Sequence, residues 1–283
     1  MEPNYTEKRI ITVATTGAWP TKEHNPNLPV TPAEIAEEVY RCWKAGAAVA
    51  HIHVRDEEGR ASMSYERFEE TVRLIRAHED CDILINLTSA GAPNVPDEDR
   101  IRHIRSLKPD MASFDCGSLN MQHAFIADNS PAFLEKLGRA MQESGVKPEI
   151  EVFDVGMIYE AIHYLDTGVL TAPPHFQLVL GAVGGMPATV ENLVFMLSKL
   201  PAGSTWGAFG VGRQSIPVTL AAMALGGHIR VGMEDNVMLK KGVLADSNVQ
   251  FVERAVKMLE SCGMSAATPA EAREILGISQ GGA

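Results

Sequence analysis

The sequence predicts an α/β protein, a single (β/α)₈ barrel, and three observations carry that prediction. Eight short apolar runs, each ending in polar or glycine residues, alternate with amphipathic stretches along the 283 residues. Strand-helix alternation implies a parallel sheet, and eight such units in about 250 residues match a closed barrel. No Pro/Ser-rich linker or low-complexity stretch divides the chain, so the domain is read as residues 1–283. Alternation alone also permits an open doubly wound sheet.

The first strand is read at Ile10–Gly17 and opens into a Pro- and Asn-rich loop, Trp19–Val30. The first helix starts at Thr31-Pro32-Ala33-Glu34, where Thr31 caps, Pro32 suits the first helical position and Glu34 completes a capping box; Gly46 ends it. Strand two is Val49–Arg55, and Ser64 starts the helix after it. Strand three is Asp82–Ser89 and strand four Met111–Gly117. Ser130-Pro131 starts a helix that Gly145 stops. Strands five to eight are Glu149–Asp154, Gln177–Gly184, Thr205–Gly212 and His228–Glu234, with helix starts at Thr189 and Asp246 and a stop at Gly263. A short helical appendage, Thr268–Leu276, follows.

Composition excludes several classes. With 45% hydrophobic and 22% charged residues the chain reads as a well-packed globular protein. Thirty-six Asp+Glu against 25 Lys+Arg leave a formal charge of −11, so no broad positive field exists to hold nucleic acid. No apolar run approaches the roughly 18 residues of a membrane span, and the amino terminus carries no secretory pattern, so a cytoplasmic address is expected. The four cysteines, Cys42, Cys81, Cys116 and Cys262, lie far apart and are expected as reduced thiols.

In a barrel, reactive groups stand at the carboxyl ends of strands, and the polar residues there carry the chemistry. VAHIHVR alternates with period two, placing His51, His53 and Arg55 on one face. Two neutral imidazoles plus one carboxylate make an open site for zinc or another divalent ion. Two hydrogen-bonded core histidines are the structural alternative. HIRVGMEDN supplies a carboxylate in Glu234, with Arg230 four residues before it and Asp235 after, and barrel closure brings strand eight beside strand one and near strand two. A buried Arg–acid pair without chemistry is the alternative there. Asn86, Thr88 and Ser89 end strand three, and Ser113, Ser118 and Asn120 follow on strand four; such groups orient a carboxylate or a carbonyl, or Thr88 and Ser89 cap the next helix. Glu149 and Glu151 share one face of strand five, suiting an acid that orients a ligating histidine. Gly210, Gly212 and Arg213 end strand seven where barrels hold phosphate. His78, His103, His123, His163 and His175 are placed on helices or loops without a role.

The motifs TTGAW…NPNLPVTPAEIAEE, AGAAVAHIHVRDEEGR, NLTSAG, GAFGVGRQ and HIRVGMEDN together resemble the β-keto acid cleavage enzymes, nearly end to end. The resemblance implies a zinc-dependent (β/α)₈ barrel, usually oligomeric, here a tetramer or dimer. It implies conversion of a β-keto acid plus acetyl-CoA into acetoacetate plus a new acyl-CoA. It further implies His51, His53 and Glu234 as metal ligands, Asp235 as general base with Arg230 as its electrostatic partner, and Ser89 and Ser113 as hydroxyls on the substrate, Thr88 being a neighbouring register. Arg213 and its glycines suit the CoA phosphates. Trp19 stands in GAWPT where the family's type enzyme has an acid that meets an amino group. A neutral aliphatic β-keto acid, or a quaternary ammonium held by the indole face, is therefore expected, unless Trp19 only plugs the mouth. A barrel hydrolase of the amidohydrolase kind and a non-catalytic CoA-binding barrel are the competing readings.

Overall fold

The computed structural model describes residues 7–278. Eight parallel strands close a barrel in chain order: β1 Ile11–Ala14, β2 Val49–Ile52, β3 Leu84–Leu87, β4 Met111–Asp115, β5 Lys147–Val152, β6 His175–Leu180, β7 Thr205–Gly210 and β8 His228–Val231. Closure is made by β8 on β1, with Arg230 beside Thr12, and β1 continues into β2, with Ala14 beside His51. The helices are α1 Pro32–Lys44, α2 Tyr65–Arg76, α3 Asp97–Leu107, α4 Pro131–Ser144, α5 Val155–Asp166, α6 Val190–Leu197, α7 Ser215–Ala224, α8 Val249–Ser261 and α9 Pro269–Leu276.

Outward strand residues such as Ile11, Val13, Ala50, Ile52, Ile85 and Leu87 pack against Ile35, Val39, Phe68 and Ile75 of α1 and α2, a fully buried seam. Each of the Ile, Val, Leu and Phe side chains contributes about 1.5–3 kcal/mol by leaving water. The inner face changes character along the barrel. Its amino-terminal floor is apolar, with Ile10, Val49, Leu84 and Met111 covered from below by Ala272 and Leu276 of α9. The expected appendage is thus a plug, started by the Thr268–Glu271 capping box. Above the floor the lining turns polar, and that polar layer positions the site.

Every barrel strand departs from its predicted bounds in a consistent sense. β1 and β3 to β8 stop two to four residues early, because the residues beyond them leave the ladder to form the rim. Val49–Arg55 is split: Val54–Arg55 leaves the barrel and pairs antiparallel with Ala61–Ser62. β5 and β6 begin two residues earlier than expected, so His175 is the first residue of a strand, not a loop residue. It sits at the amino-terminal end, away from the rim. Helix α8 starts at Val249 behind Asn248, not at Asp246, and α3, α5 and α7 occupy the stretches between strands for which the sequence offers no start signal. A hairpin, Leu119–Met121 with Phe125–Ala127, stands over the mouth after β4.

Candidate active site

His51 ends the inner face of β2, and His53 follows just beyond its last residue, so the period-two alternation holds across the split. Both are buried. Glu234 reaches them from the far side of the closure. Its Oε1 lies 3.6 Å from His51 Nε2 and 3.3 Å from His53 Nε2. Glu234 arrives by a turn and not by the strand run that the sequence suggested, since β8 ends at Val231. The turn depends on Gly232, whose φ of 141° only glycine holds comfortably and whose missing Cβ would stand 2.1 Å from Ala14 O. Gly17 is equally required, because a Cβ there would meet Glu234 Cγ at 2.5 Å.

Arg230 organises the acids. Its Nε and Nη2 each donate at 3.0 Å to the two oxygens of Asp235, its Nη2 donates at 2.5 Å to Glu234, and its Nη1 donates at 3.1 Å to Glu151 across the barrel. Phe209 lies under the guanidinium at 4.3 Å. The bidentate bond fixes the Asp235 carboxylate in one plane. Burial pushes the Asp235 carboxyl up to about 6, against the pull of Arg230. Burial, aided by the Arg230 charge, holds His51 well below the usual imidazole range and hence neutral, the form that ligates metal. Behind His51, Glu149 Oε2 stands 3.6 Å from Nδ1 and accepts from Asn86 Nδ2 at 2.6 Å, and burial raises the Glu149 carboxyl to about 7.

The donor set fits a divalent cation. One atom each from His51, His53 and Glu234 lies within 4.8 Å of the others, and Glu234 Oε2, buried, has no hydrogen-bond partner. A buried carboxylate oxygen left bare is costly unless a ligand completes it. Two nitrogens and a carboxylate oxygen are the chemistry such an ion takes. His51, Glu149 and Glu151 form an overlapping group of the same kind.

Ser89 and Ser113 meet as expected: Ser89 N donates to Ser113 Oγ at 3.0 Å, and the two hydroxyls are 3.4 Å apart. Thr88 turns its hydroxyl to Ala90 N instead, and its carbonyl sits 2.8 Å from His103 Nε2. Neither Thr88 nor Ser89 caps a helix, since α3 begins at Asp97 behind Pro96. Asn86 serves Glu149, as given above. Arg55 pins the loop that carries Trp19, donating to Pro20 O at 2.7 Å and Thr16 O at 3.4 Å. Trp19, 59% exposed, walls a cleft of about 400 Å³ between the loops after β1, β3 and β4. Gly210, Gly212 and Arg213 lie outside that cleft. Gly212 N donates to Asp235 O at 2.9 Å, and Arg213 is exposed on the short turn Gly212–Gln214. Two cleft residues escaped the sequence reading: Asp115, two residues after Ser113 on the same strand face, and Arg100 of α3. The alternation that singled out Ser113 already pointed to Asp115.

A closed parallel barrel with a buried polar centre at the carboxyl ends of its strands is the architecture of a barrel enzyme. The chain belongs to the beta-keto acid cleavage enzyme family, whose model matches residues 8–278. It is 45% identical over 273 residues to the 3-keto-5-aminohexanoate cleavage enzyme of Fusobacterium nucleatum subsp. nucleatum, covering 96% of this chain and 98% of the relative. It is 35% identical to the 3-dehydrocarnitine:acetyl-CoA trimethylamine transferase of Rhizobium meliloti, over 94% of this chain and 95% of that one. The apo structure of ObcA superposes with a TM-score of 0.81 at 22% identity, covering 89% of this chain and 66% of ObcA, and shows the shared barrel.

Proposed function

We propose that residues 1–283 act as one catalytic unit that condenses a β-keto acid with acetyl-CoA to give acetoacetate and a new acyl-CoA. The observation that carries this reading is the meeting of His51, His53 and Glu234 beside the Arg230–Asp235 pair. The three converging side chains would hold a divalent cation, zinc or another, and such an ion polarises a β-carbonyl oxygen and acidifies the carbon between the two carbonyls. Asp235 takes the proton from that carbon, its lone pairs aimed by the bidentate Arg230. Ser89 and Ser113 hold the substrate carboxylate by their hydroxyls. The carbanion attacks the acetyl carbon and releases CoA thiolate. The thiolate adds to the original β-carbonyl, the bond between α and β carbons breaks, and Asp235 returns the proton to give acetoacetate. Asn86 and Glu149 keep His51 in one orientation.

Arg213 makes no hydrogen bond or ion pair among the described residues and lies at the end of β7, which suits a CoA phosphate beside Gly210 and Gly212. Trp19 on the cleft wall supports a neutral or quaternary ammonium side chain on the β-keto acid, with Thr88 beside the hydroxyl pair. Exposed apolar side chains on neighbouring α6 and α7, Val190, Val194, Phe195 and Leu220, with Leu225 just past α7, support a homo-oligomer. No helix among the described residues is long and apolar enough to cross a membrane, which accords with the cytoplasmic reading. The test is an assay of acetoacetate from acetyl-CoA and β-keto acids of graded side chain with added metal. Production with at least one substrate supports the reading; none from any of them sinks it.

A further inference from the structure

We propose that Arg55 is a positioning residue that couples the cation centre to the substrate cleft: its guanidinium clamps both ends of the segment from Thr16 to Pro20, which seats Gly17 against Glu234 and keeps the Trp19 indole on the cleft wall. The inference rests on the transfer reaction and the cation site proposed above, and adds that one side chain serves both.

Arg55 stands where Val54–Arg55 has left the barrel to pair with Ala61–Ser62, and Ala61 is its partner in the register. The side chain is buried, and its two terminal nitrogens donate to backbone carbonyls. Nη1 reaches Gly59 O at 3.1 Å and so fixes the turn of the hairpin. Nη2 reaches Pro20 O at 2.7 Å and Thr16 O at 3.4 Å. One nitrogen thus holds the carbonyls on either side of Gly17, Ala18 and Trp19. The planar fork of a guanidinium sets these directions together, which the single point of an ammonium cannot do. The charges of Glu234 and Asp56 favour the cationic form of Arg55 against its burial.

The clamped segment touches both halves of the site. Gly17 packs so closely on Glu234 that a Cβ there would stand 2.5 Å from Glu234 Cγ. On the other flank of that contact, Asn248 donates to Thr15 O at 3.2 Å and accepts from Met233 N at 2.7 Å. The loop after β1 and the turn that bears Glu234 are therefore tied together on both sides. Ala18 and Trp19 line the cleft, and so does Ala61. A loop released from Arg55 loses the backing of Glu234 and the placement of the indole at once. Groups that orient a metal ligand from outside are worth about 10–100-fold in metal affinity or activity.

The experiment compares the full wild-type chain with Arg55→Lys and Trp19→Ala. Zinc affinity is measured by competition with a chromogenic chelator. kcat and KM are measured at saturating zinc with acetyl-CoA and the β-keto acid of the graded series that is turned over fastest. Arg55→Lys keeps the charge and loses the fork. It is expected to weaken zinc binding by about tenfold or more and to raise KM for the β-keto acid by about tenfold, with KM for acetyl-CoA within about twofold of wild type. Trp19→Ala is expected to raise KM for the β-keto acid and to leave zinc affinity at the wild-type level. Wild-type zinc affinity in Arg55→Lys, or a wild-type KM for the β-keto acid, overturns the proposal. So does a loss of zinc in Trp19→Ala equal to that in Arg55→Lys. If circular dichroism shows Arg55→Lys unfolded, Arg55→Gln is held to the same two outcomes. If no β-keto acid yields acetoacetate, the transfer reading fails by itself, and the zinc comparison among the three proteins decides. If the wild type binds no zinc, the cation reading fails and the coupling falls with it.

Discussion

His51 shows what a single residue discloses in advance and what it does not. Its partnership with His53 was readable because alternation along a strand is a local property. Glu234, 183 residues further on, was legible only through barrel closure and family resemblance. The bond between Asn86 and Glu149 emerges only from convergence, since nothing in ILINLTSAG says that its Asn donates to an acid on β5. If the three donors hold an ion that serves chemistry and not the core, His51→Ala empties the site without unfolding the barrel. Bound metal, measured by elemental analysis, then falls to background and acetoacetate formation drops by about a hundredfold or more, while far-UV circular dichroism stays native. Loss of the native spectrum would reassign His51 to structure.

Among the elements, legibility followed the caps. Helices α1, α2, α4, α6 and α9 were located from Thr31, Ser64, Ser130, Thr189 and Thr268, and each of those hydroxyls accepts a hydrogen bond from the backbone N–H three residues on. Helix α3 starts behind Pro96 without a side-chain cap, eight residues beyond Thr88, so its start is not legible. Helix α8 starts behind Asn248 without a side-chain cap, because that side chain is used elsewhere, accepting from Met233 N at 2.7 Å and donating to Thr15 O at 3.2 Å. Asp154 does cap α5, but the apolar run before it made it read as the end of a strand. Strand ends were overrun for a related reason: an apolar pattern does not reveal where the ladder opens into the rim. The turn after β8 shows the consequence. A methyl group at Gly232 collides with Ala14 O, the same carbonyl that accepts from Glu234 N at 3.2 Å. Gly232→Ala therefore displaces Glu234 and Asp235 together. The expected result is a loss of about 3 kcal/mol in chemical denaturation and of activity by about a hundredfold. A variant with wild-type kinetics would show that the turn relaxes without moving the acids.

At the scale of the whole molecule, acid stability follows from histidines that fold neutral in the interior. His103 on α3 stacks on Phe68 of α2 at 4.1 Å and meets Thr88 O, joining two helices to the end of β3. Burial lowers it to about 4 from an unfolded value near 6.5, and burial lowers His228 to about 3. A base whose folded pKa is depressed leaves stability intact above the unfolded value. As pH falls below about 6.5 the unfolded chain binds a proton that the folded chain refuses, and the loss is complete near pH 4 for His103. Its full size is about 3 kcal/mol. Glu149 acts with the opposite sign, because burial raises it to about 7 and the folded state takes up its proton first on acidification. The total stability curve mixes both slopes, so the histidine contribution has to be read as a difference. His103→Gln keeps a polar group toward Thr88 O but cannot titrate. The gap between wild-type and variant unfolding free energies, measured by urea at successive pH values, should stay constant above pH 7 and move in favour of the variant by about 3 kcal/mol between pH 6.5 and 4. A gap that does not change with pH would mean that His103 is protonated in the folded barrel, and that the packing of α3 on α2 accommodates its charge.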